Sequence, residues 1–287
     1  MAQSLLAHAW AIPVILFLTL WILFYLPLAG IASLAKGTAR TASTWVAKSP
    51  LGRWGAARRG WHGVRPWAPL IVILLLGAIA ATAAAHLFVE LAQRFPVSTS
   101  RVYLADRAAH EWFLGERQSG ITSMLRFITF FGGGTGIALV VSVATVLLVL
   151  YKEPATATYL AGTAFGGVLL NTGLKYLFAR TRPDLASAAT AAHWYSFPSG
   201  HAMESFIVYG ALAYITLRQP WPWKLDSAVL ALVVTMVILI GLSRVYLGVH
   251  WVSDIAGGWS AGIVWLVAAT VVFDLVLRRR RSRAAKQ

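Results

Sequence analysis

There is no cysteine in the 287 residues, which excludes disulfides and thiolate metal sites. Acidic residues are scarce as well: ten Asp and Glu stand against 25 Lys and Arg, a net charge of +15. Such a basic balance raises nucleic acid as a partner. The placement of the charge argues against it, because the basic residues fall in loops that flank apolar spans. Polar surface is also in short supply. With 58% hydrophobic residues there is too little of it to cover a soluble globule of this length. No internal repeat and no low-complexity segment is visible.

What is present is a series of apolar runs of about 20 residues or more, the length a helix needs to cross a bilayer. The predicted spans are Trp10–Leu34, Trp67–Val89, Thr129–Tyr151, Thr156–Phe178, Ser199–Leu217, Ala228–Leu247 and Trp251–Leu277. The predicted fold is therefore all-α, a polytopic transmembrane helical bundle. Residues 1–35 hold an extra N-terminal transmembrane helix and residues 36–66 a basic cytoplasmic linker or interfacial segment. A six-helix core covers 67–277, and 278–287 form a basic cytoplasmic tail. Met1 to His8 lacks the positive n-region of a signal peptide, and Trp10–Leu34 is too long for an h-region, so that helix reads as retained.

Charge orients the spans. Residues 35–66 carry Lys36, Arg40, Lys48, Arg53, Arg58, Arg59 and Arg65 and no acidic residue. The tail carries Arg278 to Arg281, Arg283 and Lys286. The positive-inside rule puts both in the cytoplasm, and an even number of crossings between them agrees. The 94–126 segment mixes Asp106, Glu111 and Glu116 with arginines and falls on the outer side. The linker reads either as a solvated tether or as a surface helix, with Trp45, Trp54 and Trp61 at the interface and its arginines on anionic headgroups. Gly132–Gly134 is no nucleotide loop, since no strand precedes it and no Lys-Ser follows; it reads as close helix packing or a local break.

Three segments then place charge at the ends of apolar spans, all on the outer side. Intramembrane ionisable groups mark function by default. In the third segment, Ser243-Arg244 precedes His250 and Asp254, which stand four apart on one helix face. Asp254 is placed to accept the imidazole Nδ1 hydrogen and leave Nε2 free to attack. In the second, Pro198-Ser199-Gly200-His201 opens a helix whose N-terminus suits an anion. There Gly200 permits close approach, and His201 is in place to donate a proton. In the first, Lys175 and Arg182 lie about two turns apart and face one point if the helix continues that far. Arg182-Pro183 signals a nearby helix end. A guanidinium grips phosphate bidentately and Lys adds a point charge. Arg180 reads as snorkelling at a span end. The mixture of cations, histidines and a carboxylate points to phosphate chemistry.

Lys-x6-Arg-Pro, Pro-Ser-Gly-His and Ser-Arg-x5-His-x3-Asp, in that order, resemble the signature of the type 2 phosphatidic acid phosphatase superfamily, which also includes vanadium haloperoxidases. Every fixed letter is present, and the resemblance covers residues 67–277. It implies an integral membrane lipid phosphatase with His250 as nucleophile, Asp254 orienting it and His201 as general acid. It also implies that Lys175, Arg182, Arg244, Ser199 and the Gly200 amide hold the phosphoryl oxygens. No metal or other cofactor is implied, and no outer-face carboxylate cluster suits Mg²⁺.

Other residues remain open. Glu204 reads as second to His201 or as a contact to a substrate hydroxyl; Asn171 as a bond to a neighbouring helix; Asp184 as a brace for Arg182 or simply solvated. His193 reads as an exposed loop residue and Ser253 as packing. The substrate class is a membrane lipid phosphate or pyrophosphate: undecaprenyl pyrophosphate, phosphatidylglycerol phosphate, phosphatidic acid or, further down, a lipid A phosphate. The setting is a bacterial inner membrane with the site facing the periplasm. Charges gathered at one face speak against a transporter, and both motif histidines speak against a silent lipid-binding relative.

Overall fold

The computed structural model describes residues 68–192, 194–219 and 222–284. Within them lie eight α-helices and one short 3-10 turn, with no strand among the described residues. The helices are α1 (Ala68–Arg94), α2 (Arg101–Gly115), α3 (Ser119–Phe130), α4 (Gly134–Leu150), α5 (Pro154–Phe178), α6 (Gly200–Leu217), α7 (Trp223–Tyr246) and α8 (Val252–Ala284). The predicted helix Trp10–Leu34, the linker 36–66, His193 and the last residues of the tail lie outside the described residues.

The all-α membrane bundle is as predicted. Parts of α1, α7 and α8 are long and apolar enough to cross a membrane, and α3 with α4 makes a fourth span if the bent pair counts as one. α5 and α6 are less apolar because each turns polar residues, among them Thr163, Asn171, Glu204 and Ser205, into the interior. The outer surface is the apolar one. Leu76, Phe165, Leu177 and Val272 are all more than half exposed. Such side chains are at home in hydrocarbon, whose contact a lipid-facing helix requires.

α6 lies at the centre, packed by α5, α7 and α8, and α8 packs in turn against α1. Small residues make the close contacts. A Cβ added to Gly258 of α8 would lie 2.7 Å from the Ser199 carbonyl oxygen and 3.2 Å from the Met203 nitrogen. Backbones that approach in this way replace the hydrophobic drive that is missing between helices in lipid.

Two helices were not predicted. Ser100 caps α2 by accepting the Tyr103 N–H at 3.1 Å, and the helix buries Asp106 and His110. Its buried face is polar, so no apolar period announces it. α3 buries Leu125 and Thr129, then breaks over Phe131–Gly133, and α4 leaves at 46°. The span predicted from Thr129 to Tyr151 is thus α4 preceded by the last two residues of α3. Both readings of the glycine triplet hold: it breaks the helix, and a Cβ on Gly132 would collide with Ile240 Cγ2.

Candidate active site

The three motif segments meet at one end of the bundle, where α5 ends, α6 begins and α7 turns into α8. The third is organised by a tight turn. Gly248, at φ +77°, adopts the left-handed conformation that glycine takes without strain. The Val249 and His250 N–H groups then donate back to the Arg244 carbonyl at 3.1 and 3.3 Å. His250 is buried, and its Nδ1 lies 3.1 Å from Asp254 Oδ2. Its Nε2 lies 3.0 Å from Arg182 Nη1. Arginine only donates, so Nε2 is the acceptor and the ring hydrogen sits on Nδ1, directed at Asp254. Burial first, then the charges of Arg182, Lys175 and Arg244, hold this imidazole well below its ordinary value of 6.5. It is therefore neutral at physiological pH, with a lone pair on Nε2.

The second segment enters through Ser199, the N-cap of α6, whose N–H donates to the Asp254 carbonyl at 3.0 Å. The predicted cap position is observed, but the side chain makes no cap hydrogen bond. Instead the Ser199 Oγ is buried without a partner among the described residues. Asn171 Oδ1 lies 3.1 Å from where a Gly200 Cβ would be. His201 follows on α6, close enough to Arg244, His250, Arg182 and Lys175 to feel all four electrostatically. Its Nε2 lies 3.2 Å from the point a Cβ on Gly133 would occupy. The α3–α4 break is thus a wall of the site.

In the first segment α5 ends at Phe178, where the predicted span ends, so it does not continue to Arg182; Ala179 turns left-handed at φ 44°. The loop that follows brings Arg182 back. Its Nε donates to the Trp194 carbonyl at 2.9 Å and its Nη1 to the Val249 carbonyl at 2.7 Å. Lys175 Nζ donates to the Tyr195 carbonyl at 2.8 Å. Arg244 is buried and donates to Thr129 Oγ1 at 3.2 Å, while its Nε has no partner among the described residues.

The residues left open separate here. The Glu204 carboxylate faces Gly167 of α5, one oxygen 3.2 Å from where a Gly167 Cβ would lie, and is buried without a hydrogen bond among the described residues. Asn171 Nδ2 donates to Met203 Sδ at 3.4 Å, the predicted bond to a neighbouring helix. Asp184 does not brace Arg182; its Oδ1 accepts the Ala186 N–H at 3.0 Å and stabilises the 3-10 turn.

Two readings are corrected. Arg180 does not snorkel: it is buried and pairs with Asp254 at 2.6 Å and Asp106 at 2.8 Å. Ser253 does not merely pack, since its Oγ accepts from Arg180 at 2.7 Å and donates to Asp106. Arg180, Asp106, Ser253 and Thr129 are the site's missed members. No group of three His, Asp or Glu side chains among the described residues is arranged to hold a metal ion. A groove of about 400 Å³ between α5 and α8, from Trp265 to Arg280, lies at the other end of the bundle and contains none of the motif residues.

A neutral, oriented imidazole beside a second histidine and three cations defines a membrane hydrolase that handles an anionic group. Comparisons place it further. The PAP2 superfamily profile matches residues 155–278. Phosphatidylglycerophosphatase B of Bacillus subtilis is 30% identical over 188 residues, 65% of this chain and 92% of that protein. An undecaprenyl-diphosphatase of Sulfolobus acidocaldarius is 30% identical over 124 residues, 41% of this chain and 56% of that one. The crystal structure of a transmembrane PAP2-type phosphatidylglycerolphosphate phosphatase from Bacillus subtilis superposes with a TM-score of 0.62 at 26% identity, covering 68% of this chain and 96% of that one. The chain belongs to the PAP2 superfamily, and by class it is an integral membrane phosphatase.

Proposed function

We propose that the protein is a metal-independent lipid phosphatase that hydrolyses a lipid phosphate or pyrophosphate through a phosphohistidine. One observation carries the reading: His250 is held by Asp254 through Nδ1 while its Nε2 lone pair faces the cations that would hold a phosphate. In the first step Nε2 forms a bond to phosphorus as the bond to the lipid oxygen breaks, and His201 gives its proton to that oxygen. The anionic substrate supplies the negative charge that stabilises a protonated His201 among three cations. In the second step His201 takes a proton from water as the water oxygen attacks phosphorus. The N–P bond breaks, inorganic phosphate leaves, and both histidines return to their starting forms.

Lys175, Arg182, Arg244, the unpartnered Ser199 Oγ and the Gly200 N–H hold the phosphoryl oxygens as charge builds, the electrostatic contribution that is usually largest. The charge count suits this. Four cations (Lys175, Arg180, Arg182, Arg244) against two carboxylates (Asp106, Asp254) leave an excess of two before His201 is protonated; a phosphate monoester dianion offsets it, so that one net positive charge remains once His201 carries its proton. Tyr176, Trp194 and Tyr195 cluster beside the site with ring centroids about 6 Å apart, the residue types that favour a lipid–water boundary. The basic end of α8, opposite the site, belongs in the cytoplasm against anionic headgroups. The active face then lies on the periplasmic side of a bacterial inner membrane, above a six-crossing core in residues 67–277. The names of relatives support trying phosphatidylglycerol phosphate and undecaprenyl pyrophosphate first as substrates, with lipid A phosphates after them.

The test is phosphate release by purified protein in detergent with EDTA, from those lipids and phosphatidic acid, beside His250→Ala. Release that disappears in the variant and is inhibited by vanadate supports the mechanism. Turnover that EDTA abolishes and Mg²⁺ restores overturns metal independence, and an active His250→Ala overturns the nucleophile.

A further inference from the structure

Helix α2 lies in the segment between α1 and α3 and holds none of the three motifs, yet it reaches the catalytic carboxylate. Asp106, buried on its inner face, accepts the Ser253 N–H at 2.9 Å and so caps the first turn of α8 from another helix. Its other oxygen accepts from Ser253 Oγ and from Arg180 Nη2, the latter at 2.8 Å. The opposite nitrogen of the same guanidinium, Nη1, donates to Asp254 Oδ1 at 2.6 Å. Asp254 Oδ2 is taken by His250 Nδ1 at 3.1 Å and the Trp251 N–H at 2.9 Å. Each oxygen of Asp254 therefore has a fixed donor, and the carboxylate cannot rotate without breaking one of them.

Arg180 is fixed in turn. Its guanidinium carbon sits 4.3 Å from the Phe95 ring centroid and 5.6 Å from that of Trp251, so the planar group is clamped between aromatic faces. Asp106, Arg180, Ser253 and Asp254 are all nine-tenths buried or more. A buried carboxylate left without a cation is expensive, and two in one site more so.

We propose that Arg180 and Asp106 are positioning residues for the reaction: together they set the rotation of Asp254, and through it the aim of the His250 imidazole, which makes α2 part of the catalytic apparatus. Ser253 completes the link by tying Asp106 to the same turn of α8. The inference rests on the roles of Asp254 and His250 proposed above. It adds that the chain Asp106–Arg180–Asp254–His250 acts on the transition state and not on substrate capture, because neither Arg180 nor Asp106 is among the groups that would touch phosphate.

The experiment compares kcat and KM of Arg180→Gln, Arg180→Lys, Asp106→Asn and the exposed-turn control Asp184→Ala with those of the unmodified chain. The substrate is whichever lipid of the panel gives release, and His250→Ala is assayed alongside. Arg180→Gln is expected to lower kcat about 100-fold, the size of a 1 Å misplacement, with KM within twofold. Vanadate inhibition should weaken in step with kcat, while inhibition by inorganic phosphate stays as it was. Arg180→Lys keeps the charge and is expected to recover part of kcat. Asp106→Asn, which keeps the side-chain volume and serves where Arg180→Gln fails to fold, is expected to lose kcat in the same way, because its amide sets a donor against either Arg180 or the Ser253 N–H and removes the charge that pairs with Arg180. Wild-type kcat in a folded Arg180→Gln or Asp106→Asn, with His250→Ala inactive, overturns the positioning role alone. An active His250→Ala overturns the underlying mechanism and this inference with it.

Discussion

Arg182 Nη1 stands 3.0 Å from His250 Nε2, the atom that would attack phosphorus. The same nitrogen donates to the Val249 carbonyl at 2.7 Å, and Nε donates to the Trp194 carbonyl. The guanidinium is thus oriented by the loop on one side and by His250 on the other. A lysine at this position supplies charge without the planar fork. Arg182→Lys is expected to lower kcat by about 10²- to 10³-fold, the cost of one transition-state donor. Steady-state kinetics on the preferred lipid measures it, and a loss confined to KM would mean that Arg182 only binds.

His201 has a different signature. A general acid matters in proportion to how poorly the leaving group departs. His201→Ala is expected to cost about 10²- to 10⁴-fold on a lipid phosphate and much less on p-nitrophenyl phosphate, whose phenolate leaves without a proton. Equal losses on both would remove His201 from the proton-transfer step.

The buried His250 sets a pH dependence. Its folded-state value lies well below 6.5, chiefly through burial. Below pH 6.5 the unfolded chain binds a proton here that the folded chain refuses. Stability therefore falls as pH drops from 6.5 towards the folded value, by up to about 1.4 kcal/mol per unit from this group. His110, also lowered mainly by burial with Arg117 and Arg107 adding to it, acts in the same direction. Thermal unfolding in detergent should show a lower midpoint at pH 5.5 than at 7.5. The acid limb of kcat/KM assigned to His250 should lie below 6.5, and a limb at or above that value would contradict the burial.

Glycine substitutions separate packing from composition. Gly258→Ala sets a Cβ 2.7 Å from a backbone oxygen of α6, which cannot step aside as a side chain would. It is expected to lower both the unfolding midpoint and activity. At Gly162 of α5 nothing lies within 4 Å of an added Cβ. There alanine is expected to be neutral or to gain up to about 1 kcal/mol of helix propensity. The two variants in parallel, by thermal unfolding, decide whether the α6–α8 approach is as tight as described.

The helices that cross the bundle were legible because the bilayer imposes a length, and the motif residues because charge at the end of an apolar run is conspicuous. What escaped was polar burial between elements. Asp106 looked like one outer charge among several, since nothing in its neighbourhood reveals that α2 docks on α8. Arg180 looked like a span-end cation for the same reason. Two signals were available: Asp106 and His110 stand four apart, and Arg180 falls two residues before Arg182. Neither says which partner is across the gap. The end of α5 at Phe178 was legible; the path that brings Arg182 back was not, because the left-handed turn falls on Ala179, a residue with no preference for it.

The α6–α8 contact has a mechanical meaning. His201 rides on α6 and Asp254 on α8, and the two helices touch backbone to backbone at Gly258, with the Ser199 amide bonded to the Asp254 carbonyl at 3.0 Å. No flexible spacer lies between His201 and Asp254 at that level. The spacing between the start of α6 and the first turn of α8 is therefore set by the polypeptide backbone itself, and the site carries its own ruler.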